Sequence, residues 1–371
     1  MHLCGKTSVW KISIELISKC LNNKGKGANR FMTNVTTRLG INGFGRIGRL
    51  VLRAISQSDY PGLEIVAVNS FGDPATNAHM FKYDSTYGVF NGDVESSENS
   101  FAIDGKEIAC LSSPEPISIP WNEHRVDIVL ECTGKFTSAR EASGHLESGV
   151  KKVIISAPAK GEDVTVVMGV NEKDYDANND RIISNASCTT NCVAPLIKVI
   201  NDNFGVESAM MTTIHSYTND QQILDKRHKD MRRARSAATN IIPTTTGAAK
   251  AVGQVIPSLQ NKVHGMAFRV PTATVSVTDV VANLTSDASV EEINLSYQKA
   301  AAESMRGILD FSTEPLVSTD YRQSPFSCVI DGLSTIALEG NMVKIVGWYD
   351  NEWAYSLRTI DLAQYLATTG I

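Results

Sequence analysis

The stretch Ser187-Cys188-Thr189-Thr190-Asn191 stands between a short apolar run, Arg181 to Asn185, and a helical pattern that places Val193, Leu196, Ile197, Ile200 and Phe204 on one face and stops at Gly205. Cys188 therefore falls at a helix N-terminus, where unpaired N–H groups carry partial positive charge and favour a thiolate. His215 ends the next predicted strand, inside Thr212-Thr213-Ile214-His215-Ser216-Tyr217-Thr218-Asn219-Asp220. A strand, a helix and a return strand can bring the two side chains together, as a nucleophile and its base require. Each residue alone also fits a structural role, since free cysteines are commonly small buried hydrophobes. Cys192, one helical turn past Cys188, reads as packing, and no further ligands accompany the pair to make a metal site.

A second constellation is Gly43-x-Gly45-x-x-Gly48, set between the apolar run Leu39-Gly40-Ile41 and the helical pattern Arg46 to Gln57. Three glycines in that context permit a tight turn, close backbone approach to a pyrophosphate, and close packing of helix on strand, while the helix start holds the anion. The next strand, Leu63 to Asn69, should end on a carboxylate for the ribose 2′-hydroxyl of NAD, but Asn69-Ser70 stands there. A serine hydroxyl can donate to a 2′-phosphate that a carboxylate would repel, so the cofactor expected is NADP, or either NADP or NAD. The alternative is that Asp73 supplies the carboxylate from a shifted register.

The elements that must carry these sites alternate from Thr36 onward: Leu39–Ile41, Arg46–Gln57, Leu63–Asn69, Asp127–Cys132 and Val153–Ser156 have the rhythm of βαβ units. After Cys188 the pattern changes to longer strands, Ala209–His215, Gly265–Val270 and Thr272–Leu284, and a hairpin with arms Ser334–Glu339 and Met342–Trp348 about Gly340-Asn341. Ser289 and Glu292 form a capping box ahead of one more helix, and Glu352 to Ile371 reads as helical. The fold class expected is an α/β Rossmann dinucleotide-binding domain plus an α+β catalytic domain with a mainly antiparallel sheet. Its divisions are an N-terminal extension over residues 1–35, a nucleotide domain over 36–187, a catalytic domain over 188–351, and a C-terminal helix over 352–371.

With 371 residues, 42% of them hydrophobic, the chain is long enough for two cores. Lys+Arg 35 against Asp+Glu 40 gives a charge of -5, which supplies no general field for nucleic acid or an anionic membrane. Seven scattered cysteines without a C-x-x-C pair fit free thiols in a reducing compartment, and no run approaches the ~18 apolar residues of a membrane span. A cytoplasmic location is expected. The first 31 residues set Lys6, Lys11, Lys19, Lys24, Lys26 and Arg30 against Glu15 alone, so an organellar transit segment and an extension upstream of Met32 are the two readings.

Six blocks resemble those of the phosphorylating glyceraldehyde-3-phosphate dehydrogenase family, in the expected order from about Thr36 to the C-terminus. They are Ile41 to Arg49, Lys82-Tyr83-Asp84-Ser85, Ser187 to Asn191, His215 to Asp220, the Pro243 to Lys250 stretch PTTTGAAK, and Trp348-Tyr349-Asp350-Asn351-Glu352-Trp353. The resemblance implies a homotetramer in which Cys188 attacks glyceraldehyde 3-phosphate, His215 acts as general base, and inorganic phosphate releases an acyl phosphate from a thioester. It assigns Thr218 and Arg269 to the substrate phosphate, and Ser187, Thr189, Thr246, Gly247 and Arg233 to inorganic phosphate. Gly43, Phe44, Gly45, Arg46, Ile47, Asn69, Ser70, Thr133, Gly134, Ser156 and Asn351 match cofactor positions, Asn351 as the residue that orients the nicotinamide carboxamide.

Two departures from the common NAD pattern are Ser70 and the cationic pair Lys226-Arg227, in a loop that would border a neighbouring subunit's cofactor and could pair with a 2′-phosphate. For Arg232, Arg233 and Arg235 a solvated basic face is the other reading. Erythrose-4-phosphate dehydrogenase and a non-catalytic binding protein of the same fold are the rival functions.

Overall fold

The computed structural model describes residues 36–58 and 60–371. The proposed N-terminal extension, including the basic segment, lies outside the described residues. Two sheets organise the rest.

The first sheet has nine strands in the order Val164–Thr165, Ile182–Ser184, Lys152–Ile155, Ile128–Glu131, Thr37–Asn42, Leu63–Asn69, Lys106–Leu111, Ser100–Ile103, Val94–Ser96. Pairings are parallel from Val164–Thr165 through Lys106–Leu111, and the last two strands are antiparallel. The strand order reverses at Thr37–Asn42, which lies between Leu63–Asn69 and Ile128–Glu131. The carboxyl ends of those strands border the crevice in which such sheets bind ligands. Leu39, Ile41, Ile128, Leu130, Val129, Val153 and Ile154 are fully buried, because a parallel sheet covered on both faces selects near-continuous apolar runs.

The second sheet runs Ile242–Thr245, Val263–Val270, Val206–Ser216, Ser276–Leu284, Met342–Tyr349, Cys328–Asp331, Leu309–Ser312, with Ile336–Ala337 attached beside Met342–Tyr349. Most of its pairings are antiparallel; Val206–Ser216 with Val263–Val270, and Leu309–Ser312 with Cys328–Asp331, are parallel. The helix Cys188–Phe204 buries Cys192, Val193, Leu196, Ile197 and Ile200 in the core of this half. The C-terminal helix Trp353–Thr369 places Leu357, Ile360, Leu362, Ala363 and Leu366 in one core with Leu50, Leu52 and Ile41 of the first sheet's half. Among the described residues no helix is long and apolar enough to cross a membrane.

Two expected elements are shorter than their patterns. The strand expected from Thr272 begins at Ser276, because Val275 has φ 68, a left-handed conformation in which a β-branched residue cannot continue a strand. The hairpin keeps its turn at Gly340, φ 96, but its first arm forms strand only at Ile336–Ala337, with Leu338 N donating to Met342 O. The capping box of Ser289 and Glu292 and the stop at Gly205 are as expected.

Candidate active site

The three glycines of the nucleotide motif do three different things. Gly43 has φ 93, and a Cβ there would lie 2.6 Å from Thr133 N. Gly48 packs so closely that a Cβ would meet Gly43 O at 2.3 Å. Gly45, the N-cap of Arg46–Gln57, has no atom within 4 Å of its absent Cβ and leaves the first N–H groups of the helix open above it. That is a cradle a pyrophosphate can enter and a side chain would fill. The side chain of Arg46 is not part of it. Its guanidinium binds Glu352 (2.6 Å from Nη2) and Asp84 (2.5 Å from Nη1), so any contact it gives a cofactor comes from its backbone. Phe44 is likewise buried and packs against Phe101, and Ile47 packs against the same core.

At the end of Leu63–Asn69, Asn69 is committed to the protein: Nδ2 donates to Asn42 Oδ1 and Ser113 O, and Oδ1 accepts from Ser113 N. Ser70 donates to Asn77 Oδ1 at 3.1 Å. Asp73, the alternative carboxylate, already has a local role. It is the N-cap of Pro74–Lys82 and accepts from Thr76 N at 2.8 Å and Thr76 Oγ1 at 2.8 Å. Thr133 and Gly134, φ 66, follow the strand Ile128–Glu131, and Ser156 follows Lys152–Ile155 and bonds to Glu131 O.

Cys188 opens its helix as expected. Ser187 is the N-cap, its Oγ accepting from Thr190 N, and the preceding Ala186 has φ 54, so a sharp strand-to-helix turn presents the thiol. Tyr355 of the C-terminal helix pins that turn by donating to Ala186 O. His215 lies near the end of Val206–Ser216, and its Nε2 is 3.5 Å from Cys188 Sγ. The parallel register pairs His215 with Arg269, whose Nη1 sits 2.7 Å from His215 Nδ1 and 3.1 Å from Ser216 O. His215 Nδ1 is also 2.7 Å from Ser216 O. An imidazole N–H at Nδ1 suits that carbonyl and leaves the Nε2 lone pair for the thiol proton; Arg269 then donates to the carbonyl alone.

Burial works against charge on both partners. It pushes His215 down to about 3, helped by the Arg269 guanidinium. It pushes the Cys188 thiol up, against the opposing pull of Arg269 and of hydrogen bonds from Thr189. The helix start and Arg269 favour a thiolate, as expected, and burial works against it.

The remaining site residues surround this pair unevenly. Thr218 follows at the mouth of the same strand, half-buried, and Arg269 Nε is buried without a partner. Thr189 Oγ1 and Thr213 Oγ1 each lie 2.9 Å from the hydroxyl of Tyr349, a contact the sequence pattern did not single out. Thr246 and Gly247 form the turn that starts Ala248–Val255. Arg233 turns inward, to Asp220 and to Thr244 Oγ1 at 2.9 Å, whereas Arg232 and Arg235 are exposed; the solvated-face reading holds for those two only. Asn351 is buried, and its Oδ1 accepts from Ser216 Oγ and Ser276 Oγ, both at 2.9 Å, which aims its Nδ2 elsewhere. Lys226 and Arg227 are exposed on their loop.

A nucleotide cradle and a Cys/His pair on two sheets are joined by one chain, and two family models match it in that order. Residues 37–139 match the glyceraldehyde 3-phosphate dehydrogenase NAD binding domain, and residues 187–351 match the glyceraldehyde 3-phosphate dehydrogenase C-terminal domain. This chain belongs to the glyceraldehyde-3-phosphate dehydrogenase family. It is 54% identical over 335 residues to glyceraldehyde-3-phosphate dehydrogenase 1 of Bacillus cereus, covering 90% of this chain and 100% of that one. It is 54% identical over 337 residues to the glyceraldehyde-3-phosphate dehydrogenase of Geobacillus stearothermophilus, covering 91% and 100%. Glyceraldehyde-3-phosphate dehydrogenase 2 of Synechocystis is 50% identical over 332 residues, 89% of this chain and 98% of its own. As a family member the chain is an oxidoreductase with a Rossmann domain for NAD or NADP.

Proposed function

We propose that the chain catalyses the reversible phosphorylating oxidation of glyceraldehyde 3-phosphate to 1,3-bisphosphoglycerate, with NADP preferred or both dinucleotides accepted. The contact of 3.5 Å between Cys188 Sγ and His215 Nε2 carries the reading. As the sulfur attacks the aldehyde carbon, His215 Nε2 takes the thiol proton and passes it to the aldehyde oxygen, so that a thiohemiacetal hydroxyl and a neutral imidazole result. The dinucleotide, when bound, supplies the hydride acceptor that makes oxidation to a thioester possible. His215 removes the hydroxyl proton of the thiohemiacetal, and inorganic phosphate then attacks the thioester carbon and expels the Cys188 thiolate, which is reprotonated.

The partnerless buried Nε of Arg269 supports its role with Thr218 toward the substrate phosphate. Ser187, Thr189, Thr246, Gly247 and Arg233 are assigned to inorganic phosphate, which must compete with Asp220 for Arg233. Gly43, Phe44, Gly45, Arg46 and Ile47 would cradle the pyrophosphate through backbone groups, with Thr133, Gly134 and Ser156 across the crevice and Asn351 Nδ2 toward the carboxamide. Asn69 and Ser70 would face the adenosine ribose, with no carboxylate there to repel a 2′-phosphate. A homotetramer is part of the proposal: Ile223, Leu224 and Met231 are exposed by 82%, 75% and 81% on the loop that carries Lys226 and Arg227.

Steady-state kinetics with NAD and NADP, with and without phosphate, test the proposal on wild type, Cys188→Ser and Ser70→Asp. Cys188→Ser is expected to abolish aldehyde oxidation, and near-normal turnover would sink the mechanism. Two like charges about 4 Å apart repel by ~1 kcal/mol in water and ~4 kcal/mol near a protein surface, so Ser70→Asp should shift the NADP-to-NAD ratio of kcat/KM by roughly tenfold or more toward NAD. Efficient wild-type turnover with NAD and none with NADP would refute the cofactor reading. Oxidation of erythrose 4-phosphate that needs no phosphate would favour the rival dehydrogenase.

A further inference from the structure

Beneath the crevice lies a buried polar chain for which the reaction scheme has no use. Glu131 ends the strand Ile128–Glu131 and is 2% exposed. Its carboxylate accepts from Asn42 Nδ2 at 2.5 Å, Thr133 N at 2.9 Å, Thr133 Oγ1, and His145 Nε2 at 3.1 Å. The histidine tautomer follows from its other neighbour: Trp121 Nε1, which can only donate, lies 2.9 Å from His145 Nδ1. Nδ1 therefore accepts, Nε2 carries the hydrogen, and the ring cannot turn without losing both bonds. The main-chain oxygen of Glu131 accepts from Ser156 N and Ser156 Oγ, each at 3.0 Å. Asn42 passes the connection on, its Oδ1 accepting from Asn69 Nδ2 at 2.8 Å.

One carboxylate thus ties together the ends of neighbouring parallel strands and the Thr133 turn. That turn lies against the first glycine of the nucleotide loop, since a Cβ on Gly43 would meet Thr133 N at 2.6 Å. Among the described residues no lysine or arginine pairs with Glu131; His145 reaches it as a hydrogen-bond donor from Nε2. A buried carboxylate without a cation is costly, and an apolar side chain fills such a space more favourably, so stability alone does not account for it. What the carboxylate does provide is direction: four donors from three segments are aimed at one point.

We propose that Glu131 is a positioning residue for the dinucleotide, holding the Thr133 peptide and the Asn42 side chain at the lip of the crevice, with His145 and Trp121 fixing the carboxylate in turn. The proposal rests on the cofactor reading above. Glu131→Gln replaces one acceptor oxygen by an NH₂ that must face a donor, Asn42 Nδ2, Thr133 or His145 Nε2. In the full-length chain, NAD and NADP titrations followed by protein fluorescence are expected to show at least about tenfold weaker binding, the size of one unsatisfied buried group. The cofactor KM should rise by the same factor, while kcat and the aldehyde KM stay within about twofold. Glu131→Asp keeps the charge but shortens its reach, and covers the case in which the amide variant does not fold; it too should lose cofactor affinity several-fold with the aldehyde KM unchanged. Wild-type cofactor affinity in either folded variant, or an aldehyde KM that rises in step with the cofactor KM, overturns the proposal. A wild-type chain that binds neither dinucleotide overturns the cofactor reading itself, and this one with it.

Discussion

Gly45 and Gly48 are three residues apart in one motif, and the structure assigns them opposite failures. Alanine at Gly48 puts a methyl 2.3 Å from Gly43 O and 3.0 Å from Ile41 Cγ2. The nearer neighbour is backbone and cannot swing aside, so the helix Arg46–Gln57 must move off the strand Thr37–Asn42. Overpacking of this kind costs about 1–3 kcal/mol, which for a domain of this size lowers the unfolding midpoint by roughly 3–10 °C. Alanine at Gly45 meets nothing within 4 Å and takes φ -79, which any residue adopts. The protein loses only the small preference for glycine over alanine at an N-cap, below about 1 kcal/mol. The methyl instead enters the space above the helix start, so dinucleotide affinity should fall by about tenfold or more, a loss of roughly 1.4 kcal/mol. Thermal unfolding without cofactor and equilibrium dinucleotide titration, run on both variants, give the crossover. An unchanged midpoint for Gly48→Ala, or unchanged affinity for Gly45→Ala, would refute the division of labour.

Two further outcomes follow from the buried pair and its support. His215 is held near about 3 when folded and returns to its ordinary 6.5 when unfolded, so between these values the unfolded chain binds a proton that the folded chain refuses. Stability must therefore fall as pH drops from 6.5 toward 3, and wild type should lose more of its unfolding midpoint over this range than His215→Gln; equal losses would contradict the assignment. Tyr349→Phe removes the hydroxyl shared by Thr189 and Thr213 and strands buried partners, at a cost of about 1–3 kcal/mol, so its midpoint should fall by several degrees while dinucleotide affinity holds. A midpoint equal to wild type would show that the hydroxyl carries no load.

The parts of this molecule that are legible in the sequence are those whose physics is local. A tight turn needs glycine at Gly43, a helix start needs a cap at Ser187, a stop needs Gly205, and each requirement is met within a few residues of the site it serves. The closeness of Cys188 and His215 is nearly as local, because only one helix and one strand separate them. The cap at Asp73 is local in the same way: its partner, Thr76, is three residues away, and a cap and a ribose ligand ask for the same carboxylate. Tyr349 and Glu131 could not be found this way. Tyr349 meets Thr189 and Thr213 only because two strands of one sheet and a helix converge, and nothing in its own neighbourhood announces a hydrogen bond across more than a hundred residues.

The ionisation of the nucleophile divides along the same line. The helix start that lowers a thiol is written in residues 187–190, whereas the burial that raises it is the sum of segments remote in sequence, and the pull of Arg269 arrives through a parallel register between Val206–Ser216 and Val263–Val270. Sequence reading therefore recovers the local favourable field and omits the desolvation that opposes it. Burial disfavours charge on both the Cys188 thiol and the His215 imidazole, which leaves His215 Nε2 a base available to take the proton when the aldehyde arrives. The cost of charging the pair then falls on the reactive encounter, where the Arg269 guanidinium favours negative charge on the sulfur.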